Sequence, residues 1–521
     1  MKKRAFKNSI LLVLIGLMLV IAQACSTKSN AGKDTAAKPE KAKEGGTLTI
    51  VRTSDATKLD PQFITDIPSA DIIYEKVYET LVVPDKDMKI QPLLAESWKV
   101  DGTKWEFKLK KGVTFQDGAP FNAEAVKATF DRLLDPKTGS PSRAKFAMIN
   151  EVKIIDDNTV QFVLKYPYPL LSILASQEGS IISPKALKES PQTLAQHPVG
   201  TGPFVFEAWK SGQEISLTKN VNYWGKKAKI DRVVFKIVPE DATRMAMLET
   251  GEAQINNQVP VTEIDRINAS DKIGLYRTDG LAVEYLGFNV TKKPLDDVRV
   301  RRAISHAIER ASIIKGVYNN VGTLANSAMS PKVFGYSKNV KPYDYDLNEA
   351  KKLLKEAGYE KGLSLTLLTS DRKERVNMAE VIQSQLKGIG IDVKVQVSEY
   401  GAYIDSLGKG QFDMQIGGWG NATGDGDYNQ YNLFHSASIG PAGNNFRYSN
   451  PVVDKTIEAA RQETDETKRK QLYEKAMKTE LEDAVYVPIR NYENLAAYNK
   501  KIEGFWENPV SYLMINDVTI K

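Results

Sequence analysis

The chain has 521 residues, of which 42% are hydrophobic and 26% are charged. These proportions are ordinary for a soluble globular protein, and the length is too great for one compact core, so two or more lobes are expected. The formal net charge is +6, but the surplus lies in residues 1–44 and the remainder, 45–521, is neutral. This distribution gives no support for a basic nucleic-acid-binding surface, and no nucleic acid partner is expected.

The N-terminus joins a positive start, MKKRAFKNS, to the apolar stretch ILLVLIGLMLVIA at 10–22. That stretch has the length of a signal-peptide core and is short for a bilayer span. The only cysteine, Cys25, follows the small residue Ala24, a pattern that resembles the bacterial lipobox. We expect 1–24 to be a lipoprotein signal peptide and Cys25 to be acylated; the alternative is an ordinary secreted protein with a stray cysteine. A single cysteine excludes an intramolecular disulfide.

Residues 25–44 are rich in lysine and have almost no apolar side chain to bury. This composition predicts a flexible tether between the lipid anchor and the fold. The chain is therefore expected at the extracytoplasmic face of the bacterial cell membrane, in the periplasmic space if the organism has an outer membrane.

The first half of the folded part is predicted to be rich in strands. Gly45 begins an alternating strand, and residues 98–121 alternate apolar and polar side chains around glycine turns, which predicts a β-meander. Asn122 is the expected N-cap of a helix over 122–134. Further strands are predicted over 152–164 (two strands around Asp157-Asn158), 198–209 and 284–290.

The second half alternates helices with short strands, which predicts an α/β fold. Helices are predicted over 297–315, 347–357, 374–388 and 464–482. Strands are predicted over 363–369, 391–397, 412–417 and 485–499. The sequence has no internal repeat.

Five long motifs follow one another from residue 92 onwards. They occupy 92–133 (PLLAESWKVDGTKWEFKLKKGVTFQDGAPFNAEAVKATFDRL), 197–209, 220–255, 286–314 and 342–362. In these motifs the chain resembles the bacterial extracellular solute-binding proteins of family 5, which serve peptide and nickel ABC importers. The segment GWGNATGDGDYNQYNLF at 418–434 is most like the glutathione- and dipeptide-binding lipoproteins of that family.

The resemblance implies an α/β, two-lobed periplasmic-binding-protein-like fold of type II, with hinge strands between the lobes and an extra inserted subdomain. The implied division is lobe I at 45–82, 199–286 and 487–521, the inserted subdomain at 83–198, and lobe II at 287–486.

The function implied by the resemblance is that of a lipid-anchored substrate-binding subunit of an ABC importer. It would capture glutathione or a short peptide and deliver it to the permease by hinge closure. The ABC permease and ATPase are expected to be separate chains, and a monomer is expected. The alternatives are a binding protein for another solute such as a nickel chelate, a receptor for signalling peptides, a secreted hydrolase and a structural lipoprotein. The sequence has no Walker A loop, no GxSxG elbow and no GxGxxG motif after a predicted strand. Neither enzyme activity nor a cofactor is therefore predicted.

In related peptide binders an Asp shortly after the motif tryptophan, here Trp419, pairs with the ligand ammonium. Three residues past Trp419 this chain has Ala422, and the carboxylates Asp425 and Asp427 come later in the same loop. We predict that this pair meets the ligand amine, because an unpaired ammonium in a water-poor cleft is costly. The alternative is a solvated turn.

Arg372 and Arg375 follow the strand at 363–369, where an arginine of related dipeptide binders grips the ligand carboxylate. The alternative is a charged surface patch. Trp419, Tyr403 and Tyr428 are predicted to wall the pocket, with core packing as the alternative for the tyrosines. Gly417 and Gly418 are predicted to offer bare backbone to an extended ligand, with a tight turn as the alternative.

No metal site is predicted. The spacing Asp425-x-Asp427-x-Asn429 hints at a calcium loop but fails at Gln430 and Ser436, where glycine and glutamate are needed. The three histidines, His197, His306 and His435, form no HExxH motif or Cys/His cluster.

Overall fold

A computed structural model describes residues 44–440 and 443–521. The predicted signal peptide, the lipidation site Cys25 and all but the last residue of the predicted tether lie outside the described residues. Within these two ranges, no helix is both long and apolar enough to cross a membrane.

The strands of the described residues are numbered in chain order. They are β1 Thr47–Arg52, β2 Val82–Pro84, β3 Ile90–Pro92, β4 Ala95–Asp101, β5 Lys104–Leu109, β6 Ile149–Asp156, β7 Thr159–Leu164, β8 Phe204–Lys210, β9 Glu214–Lys219, β10 Arg232–Ile237, β11 Ile255–Asn256, β12 Ile273–Phe288, β13 Thr323–Leu324, β14 Leu363–Ser370, β15 Ile391–Ser398, β16 Met414–Gly420, β17 Tyr486–Asn499, β18 Ile502–Glu503, β19 Trp506–Glu507, β20 Leu513–Met514 and β21 Thr519–Ile520.

The helices are numbered in the same way. They are α1 Ile67–Ile73, α2 Ala123–Leu134, α3 Leu171–Leu174, α4 Pro184–Glu189, α5 Asp241–Thr250, α6 Ile264–Asn268, α7 Val298–Ala307, α8 Arg310–Tyr318, α9 Leu347–Glu356, α10 Lys373–Lys387, α11 Tyr400–Lys409, α12 Gly426–Phe434, α13 Pro451–Gln462 and α14 Glu466–Glu482.

One sheet of eleven strands runs through both halves of the molecule. Its order is β15-β14-β16-β12-β17-β11-β1-β10-β9-β8, and β13 pairs with β17 off this path. The long antiparallel neighbours β12 and β17 form its centre, so each of them belongs to both halves.

The pairing of β12 with β17 changes register in the middle. Residues 273–279 pair with 493–499, residues 283–287 pair with 486–491, and residues 280–282 have no partner on β17. Such an irregularity bends its strands and increases their twist. It separates the half of the sheet that contains β1 from the half that contains β14.

The hydrophobic residues form separate cores in three parts of the chain. One cluster draws on 48–78, 182–255 and 496–518, the part we call lobe I. A second lies within 81–181, which we call the inserted subdomain. Two more draw mainly on 281–489, which we call lobe II. The domain limits implied by the resemblance stay a prediction, and we propose them on the basis of these separate cores.

A four-stranded antiparallel sheet, β4-β5-β7-β6, forms the inserted subdomain together with α2. The N-cap prediction is confirmed, because the Asn122 side chain accepts a 3.1 Å hydrogen bond from the Ala125 N–H. The predicted meander over 98–121 is only partly right. β4 and β5 form a hairpin, but Gly112 and Gly118 turn the chain with positive φ angles, and β7 takes the third place in the sheet.

The predicted second-half elements correspond to α9, α10, α14 and β14–β17. The single helix predicted over 297–315 is wrong, because Ile308 and Glu309 are extended between α7 and α8. The Glu309 carboxylate accepts a 2.7 Å hydrogen bond from the Ser312 N–H and so caps the start of α8. The sequence prediction missed α11, α12 and α13.

Candidate functional site

A cleft of about 940 Å³ lies between lobe I and lobe II. Its volume is near the upper end of the range of about 300–1,000 Å³ typical of small-molecule sites. Lobe I supplies the end of β1, the start of α1 and residues 257–261 to its wall. Lobe II supplies the start of α10, and β12 and β17 complete the wall beside the register change.

Glu284 of β12 is the centre of a buried charge cluster in this wall. Arg490 donates to its Oε2 atom with two nitrogens, at 2.9 and 3.1 Å, and the Tyr492 hydroxyl donates to its Oε1 atom at 2.7 Å. The Nε atom of Arg375 lies 3.5 Å from the same carboxylate. Two guanidinium groups therefore face one carboxylate, and the cluster has one positive charge in excess.

The ionisation of this cluster follows from its geometry. Burial by itself would raise the pKa of Glu284, but Arg490 and Arg375 outweigh burial and hold the pKa below its ordinary value. Burial by itself would lower the pKa of Arg375, but Tyr492 and Glu284 outweigh it, so the pKa is raised. The carboxylate and both guanidinium groups therefore carry their charges at neutral pH.

Two of the residues predicted from the sequence, Arg372 and Arg375, line the cleft. Arg372 is exposed and is the N-cap residue of α10, whereas Arg375 is buried one turn into that helix. The predicted Gly418 lies beside Arg375, because a Cβ atom at Gly418 would stand 2.9 Å from the Arg375 Nη2 atom. Glycine at 418 thus leaves room for the guanidinium group.

The other predicted glycine, Gly417, lies next along β16. A Cβ atom there would stand 2.6 Å from the ring of Tyr285. Among the described residues, β14 pairs with β16 only through Met414 and Gln415, whereas β12 pairs with all of β16. From Ile416 onwards, no strand of the described part of the chain pairs with that edge of β16.

Trp419 and Tyr428 lie together, with ring centroids 5.6 Å apart. The Lys145 ammonium of the inserted subdomain lies 5.7 Å from the Tyr428 ring centre and forms an ion pair with Glu178. The Trp419 Nε1 atom is buried and has no hydrogen-bond partner in the structure. Tyr428 therefore meets the inserted subdomain, and neither Tyr428 nor Trp419 is among the residues that line the described cleft.

The predicted amine-binding carboxylates are occupied by the protein's own arginines. Asp425 accepts two 2.6 Å hydrogen bonds from Arg469, and both side chains are buried. Asp427 lies 2.9 Å from the Arg461 Nε atom and accepts a 2.9 Å hydrogen bond from the Tyr168 hydroxyl. The structure thus brings both carboxylates into buried ion pairs rather than into the described cleft wall.

Tyr403 is 2% exposed and belongs to a small core cluster with Leu368, Leu407 and Phe412. Its hydroxyl lies 2.8 Å from both Gln415 Oε1 and the Ile416 carbonyl oxygen. Tyr403 therefore packs in the core, which is the alternative given for the tyrosines, and its hydroxyl supports β16 through these two contacts.

Sequence reasoning missed the residues of the cleft wall that lie on strands, above all Glu284 and Arg490. Each is a charged residue in an otherwise apolar strand, EYLGFNV and VYVPIRNY. That signal was available, because a charged residue in a buried strand needs a partner or a ligand. Within the described ranges, no group of three or more His, Cys, Asp or Glu side chains is arranged to hold a metal ion.

The comparisons with known proteins agree with this architecture. The glutathione-binding protein GsiB of Salmonella choleraesuis is 33% identical over 479 residues, which cover 90% of this chain and 93% of that protein. The periplasmic binding protein DppA of Helicobacter pylori, solved with the peptide STSA, superposes with a TM-score of 0.79 at 32% identity, over 92% of this chain and 98% of that one. NikZ of Campylobacter jejuni, solved with Ni(L-His), gives 0.77 at 25% identity over 90% and 97%.

The family model described as the middle region of bacterial extracellular solute-binding proteins, family 5, matches residues 89–441. This match spans more than half of the chain and includes nearly all of the inserted subdomain, β12 and most of lobe II, whereas β17 lies beyond it. The chain belongs to the family 5 bacterial extracellular solute-binding proteins.

Proposed function

We propose that this protein is the lipid-anchored substrate-binding subunit of an ABC importer and that it captures glutathione or a short peptide. The observation that carries the proposal is the cleft between the lobes, whose wall presents buried guanidinium and carboxylate groups side by side. A small zwitterion satisfies both signs of charge at once. The protein binds this ligand without chemical turnover.

The carboxylate end of the ligand lies at Arg375, with exposed Arg372 at the mouth. The excess positive charge of the Glu284 cluster favours a carboxylate there, and a guanidinium fork matches its geometry. On the opposite wall, the Asp66 carboxylate, which accepts hydrogen bonds from the neutral donors Ser69 N–H and Thr57 hydroxyl, lies near the ligand ammonium. Because Asp425 and Asp427 are occupied by arginines, we assign them a structural role.

The free edge of β16 supports an extended ligand. Gly417 and Gly418 lie where β16 has no neighbour on its β14 side among the described residues. A peptide backbone can pair with such an edge as an added strand, which gives affinity that does not depend on the ligand's side chains. Trp419 and Tyr428 then adjoin the end of that ligand.

Ligand capture works by closure of the two lobes about β12 and β17. A ligand shifts the balance between open and closed forms only through the contacts that it gains in the closed form. The charge pairs to both ligand ends are such contacts, and closing strengthens them by excluding water. The closed shape is the form delivered to the permease, while acylated Cys25 holds the protein at the membrane.

Mass spectrometry under native conditions, applied to protein purified from its own host, tests the ligand assignment. We expect a co-purified glutathione or peptide mass, and calorimetric binding of glutathione or a dipeptide after that ligand is removed. Binding of Ni(L-His) or a sugar with no binding of glutathione or peptides would contradict the assignment.

Fractionation of cells tests the anchor separately. The full chain is expected in the membrane fraction and the Cys25→Ser variant in the soluble extracytoplasmic fraction. Equal distribution of the two proteins would contradict lipidation at Cys25.

A further inference from the structure

Four buried arginines line the cleft, and they differ in how the protein uses their N–H groups. The four are Arg52, Arg244, Arg375 and Arg490, and each is at most 8% exposed. A guanidinium group buried without partners is costly, so its donors are normally occupied. An arginine in this wall whose N–H groups have no acceptor in the protein is therefore a candidate to donate them to a ligand.

The N–H groups of Arg244 and Arg490 are occupied by acceptors of the protein itself. Arg244 donates to the carbonyl oxygens of Val238 and Pro239 and to the side chains of Asn256 and Asp241. Arg490 donates with its Nε and Nη2 atoms to Glu284 and with its Nη1 atom to the Val321 carbonyl oxygen. These two arginines hold the walls of the cleft together.

Arg52 is used very differently, although it is only 1% exposed. Its Nη2 atom donates a 2.7 Å hydrogen bond to the Pro68 carbonyl oxygen, but its Nε and Nη1 atoms have no partner among the residues that the structure describes. The guanidinium group otherwise rests 5.7 Å from the ring centre of Phe235. It stands at the end of β1, in the lobe I wall of the cleft.

The carboxylates nearest to Arg52 are already engaged elsewhere. Asp71 accepts from the Leu513 N–H and the Lys76 ammonium, and Asp66 accepts from the Ser69 N–H and the Thr57 hydroxyl. The third, the Asp55 carboxylate, accepts hydrogen bonds from the main chain and from a tryptophan. These carboxylates lower the electrostatic cost of burying Arg52 without using its free N–H groups.

Arg375 of lobe II resembles Arg52 in having N–H groups that the described residues do not use. Within 44–440 and 443–521, its buried Nε atom has no hydrogen-bond partner. The Glu284 carboxylate lies 3.5 Å from that atom and already accepts from Arg490 and Tyr492. Each wall of the cleft therefore contains one buried arginine with free donors.

We propose that Arg52 and Arg375 form a two-lobe clamp for a ligand with two anionic groups, so that the preferred ligand is a dicarboxylate such as glutathione or an acidic peptide rather than a neutral one. The inference rests on the proposed function and narrows its ligand class. Each carboxylate occupies one guanidinium fork, and because the forks belong to different lobes, a ligand must close the cleft to engage both. A ligand with one carboxylate leaves one fork empty and closes the cleft less tightly.

Calorimetry on the purified mature protein tests the clamp with three probes: glutathione, its glycine monoethyl ester and trialanine. We expect wild-type protein to bind glutathione about ten- to hundredfold more tightly than either single-carboxylate probe, the range that one charge-assisted pair supplies. This comparison needs no variant. Equal affinity for glutathione and the ester overturns the clamp while leaving the proposed function intact, whereas no binding of any probe overturns both.

Variants then identify the two forks. Arg52→Gln and Arg375→Gln are each expected to lose about ten- to hundredfold in affinity for glutathione. In one of the two variants, the missing arginine is the one that would bind the glycine carboxylate. That variant should bind glutathione and the ester with equal affinity. Arg266→Gln is the control, because it removes the same charge from an exposed ion pair outside the cleft; it should bind like wild type.

Arg52→Lys distinguishes a binding defect from a folding defect, because it keeps the positive charge but loses the two-pronged guanidinium group. It is expected to keep the wild-type unfolding temperature and to bind glutathione with intermediate affinity. An Arg52→Gln protein that binds glutathione like wild type, or that loses the same factor for trialanine as for glutathione, would show that Arg52 is structural only and overturn the clamp.

Discussion

Tyr168 of the inserted subdomain donates a 2.9 Å hydrogen bond to the Oδ2 atom of Asp427 in lobe II, 259 residues further along the chain. The other carboxylate oxygen lies 2.9 Å from the Arg461 Nε atom, and the Arg461 guanidinium covers the Tyr431 ring at 3.8 Å. The contact thus joins two parts of the chain that have separate cores.

Replacement of Tyr168 by Phe is expected to favour the open form, because it removes this contact and leaves Asp427 one donor short. A hydrogen bond to a charged group is worth about 1.5–3 kcal/mol. Small-angle scattering of the ligand-free protein should show a larger radius of gyration for the variant, and ligand affinity should fall by population shift. Tyr345→Phe, at a tyrosine that is 50% exposed, is the control; a Tyr168 variant as compact as this control would argue against the role of the contact.

Replacement of Asp425 by Asn is expected to destabilise the fold. The change leaves the buried Arg469 without its bidentate partner, and breaking a buried pair from one side costs about 3–5 kcal/mol. Urea unfolding measures the loss. If Asp425 instead met the ligand amine, the variant would lose affinity and keep its stability.

Asp405→Asn is the matched control for that experiment. Its ion pair with Lys409 is more than half exposed on both sides, and exposed pairs are worth about 0–1 kcal/mol. The difference between the two variants isolates the effect of burial.

The stability of the protein is expected to fall as pH rises from 5 to 8, in part through Glu79. Burial raises the pKa of this carboxyl from 4.5 to about 7, although Tyr223, Trp224 and Thr201 donate hydrogen bonds to it. The folded chain therefore binds the proton more tightly than the unfolded chain. This contribution, on the order of 3 kcal/mol, is present below pH 4.5 and is lost as pH rises through 7.

Urea unfolding at several pH values between 5 and 8 checks the contribution. Glu79→Gln should show a flatter dependence on pH, because an amide does not titrate, and its stability relative to wild type should rise as pH passes through 7. Glu474→Gln is the control, because its pKa is lowered to about 2 and it does not titrate in this range. Parallel pH profiles for wild type and the Glu79 variant would contradict the assignment.

Replacement of Gly418 by Ala is expected to weaken ligand binding. The added Cβ would stand 2.9 Å from Arg375 Nη2 and 3.0 Å from the Val283 carbonyl oxygen, so the guanidinium group must move. Overpacking of this kind costs about 1–3 kcal/mol. Calorimetry with glutathione measures the effect on binding.

Gly420→Ala supplies the control on the same strand, because nothing lies within 4 Å of a Cβ atom there. It is expected to change affinity and stability by less than about 0.5 kcal/mol. If both glycine variants bind alike, Gly418 does not position Arg375.

The sequence predicted β14–β17 and the helices α9, α10 and α14, because each has a strong local signal. The helix α9 carries an N-cap at Asp346 and ends before Gly358 at positive φ. The break between α7 and α8 lacked such a signal, since Glu309 caps α8 only once the chain has turned there. The polar sequence of α12 shows no apolar face, and its position is fixed by the ion pairs of Asp425 and Asp427.

By itself, the sequence determined the family, the α/β class and many of the elements, because these depend on local periodicity and on motifs that are contiguous in the chain. Only the tertiary structure decided which charges face the cleft. Arg52, Glu284, Arg375 and Arg490 come from four separate segments and are brought together by β12, β17 and the two lobes around them. The same packing places Asp425 beside Arg469 and Asp427 beside Arg461, so that they form ion pairs. A buried carboxylate pairs with the cation that the fold places next to it, whatever their separation along the chain.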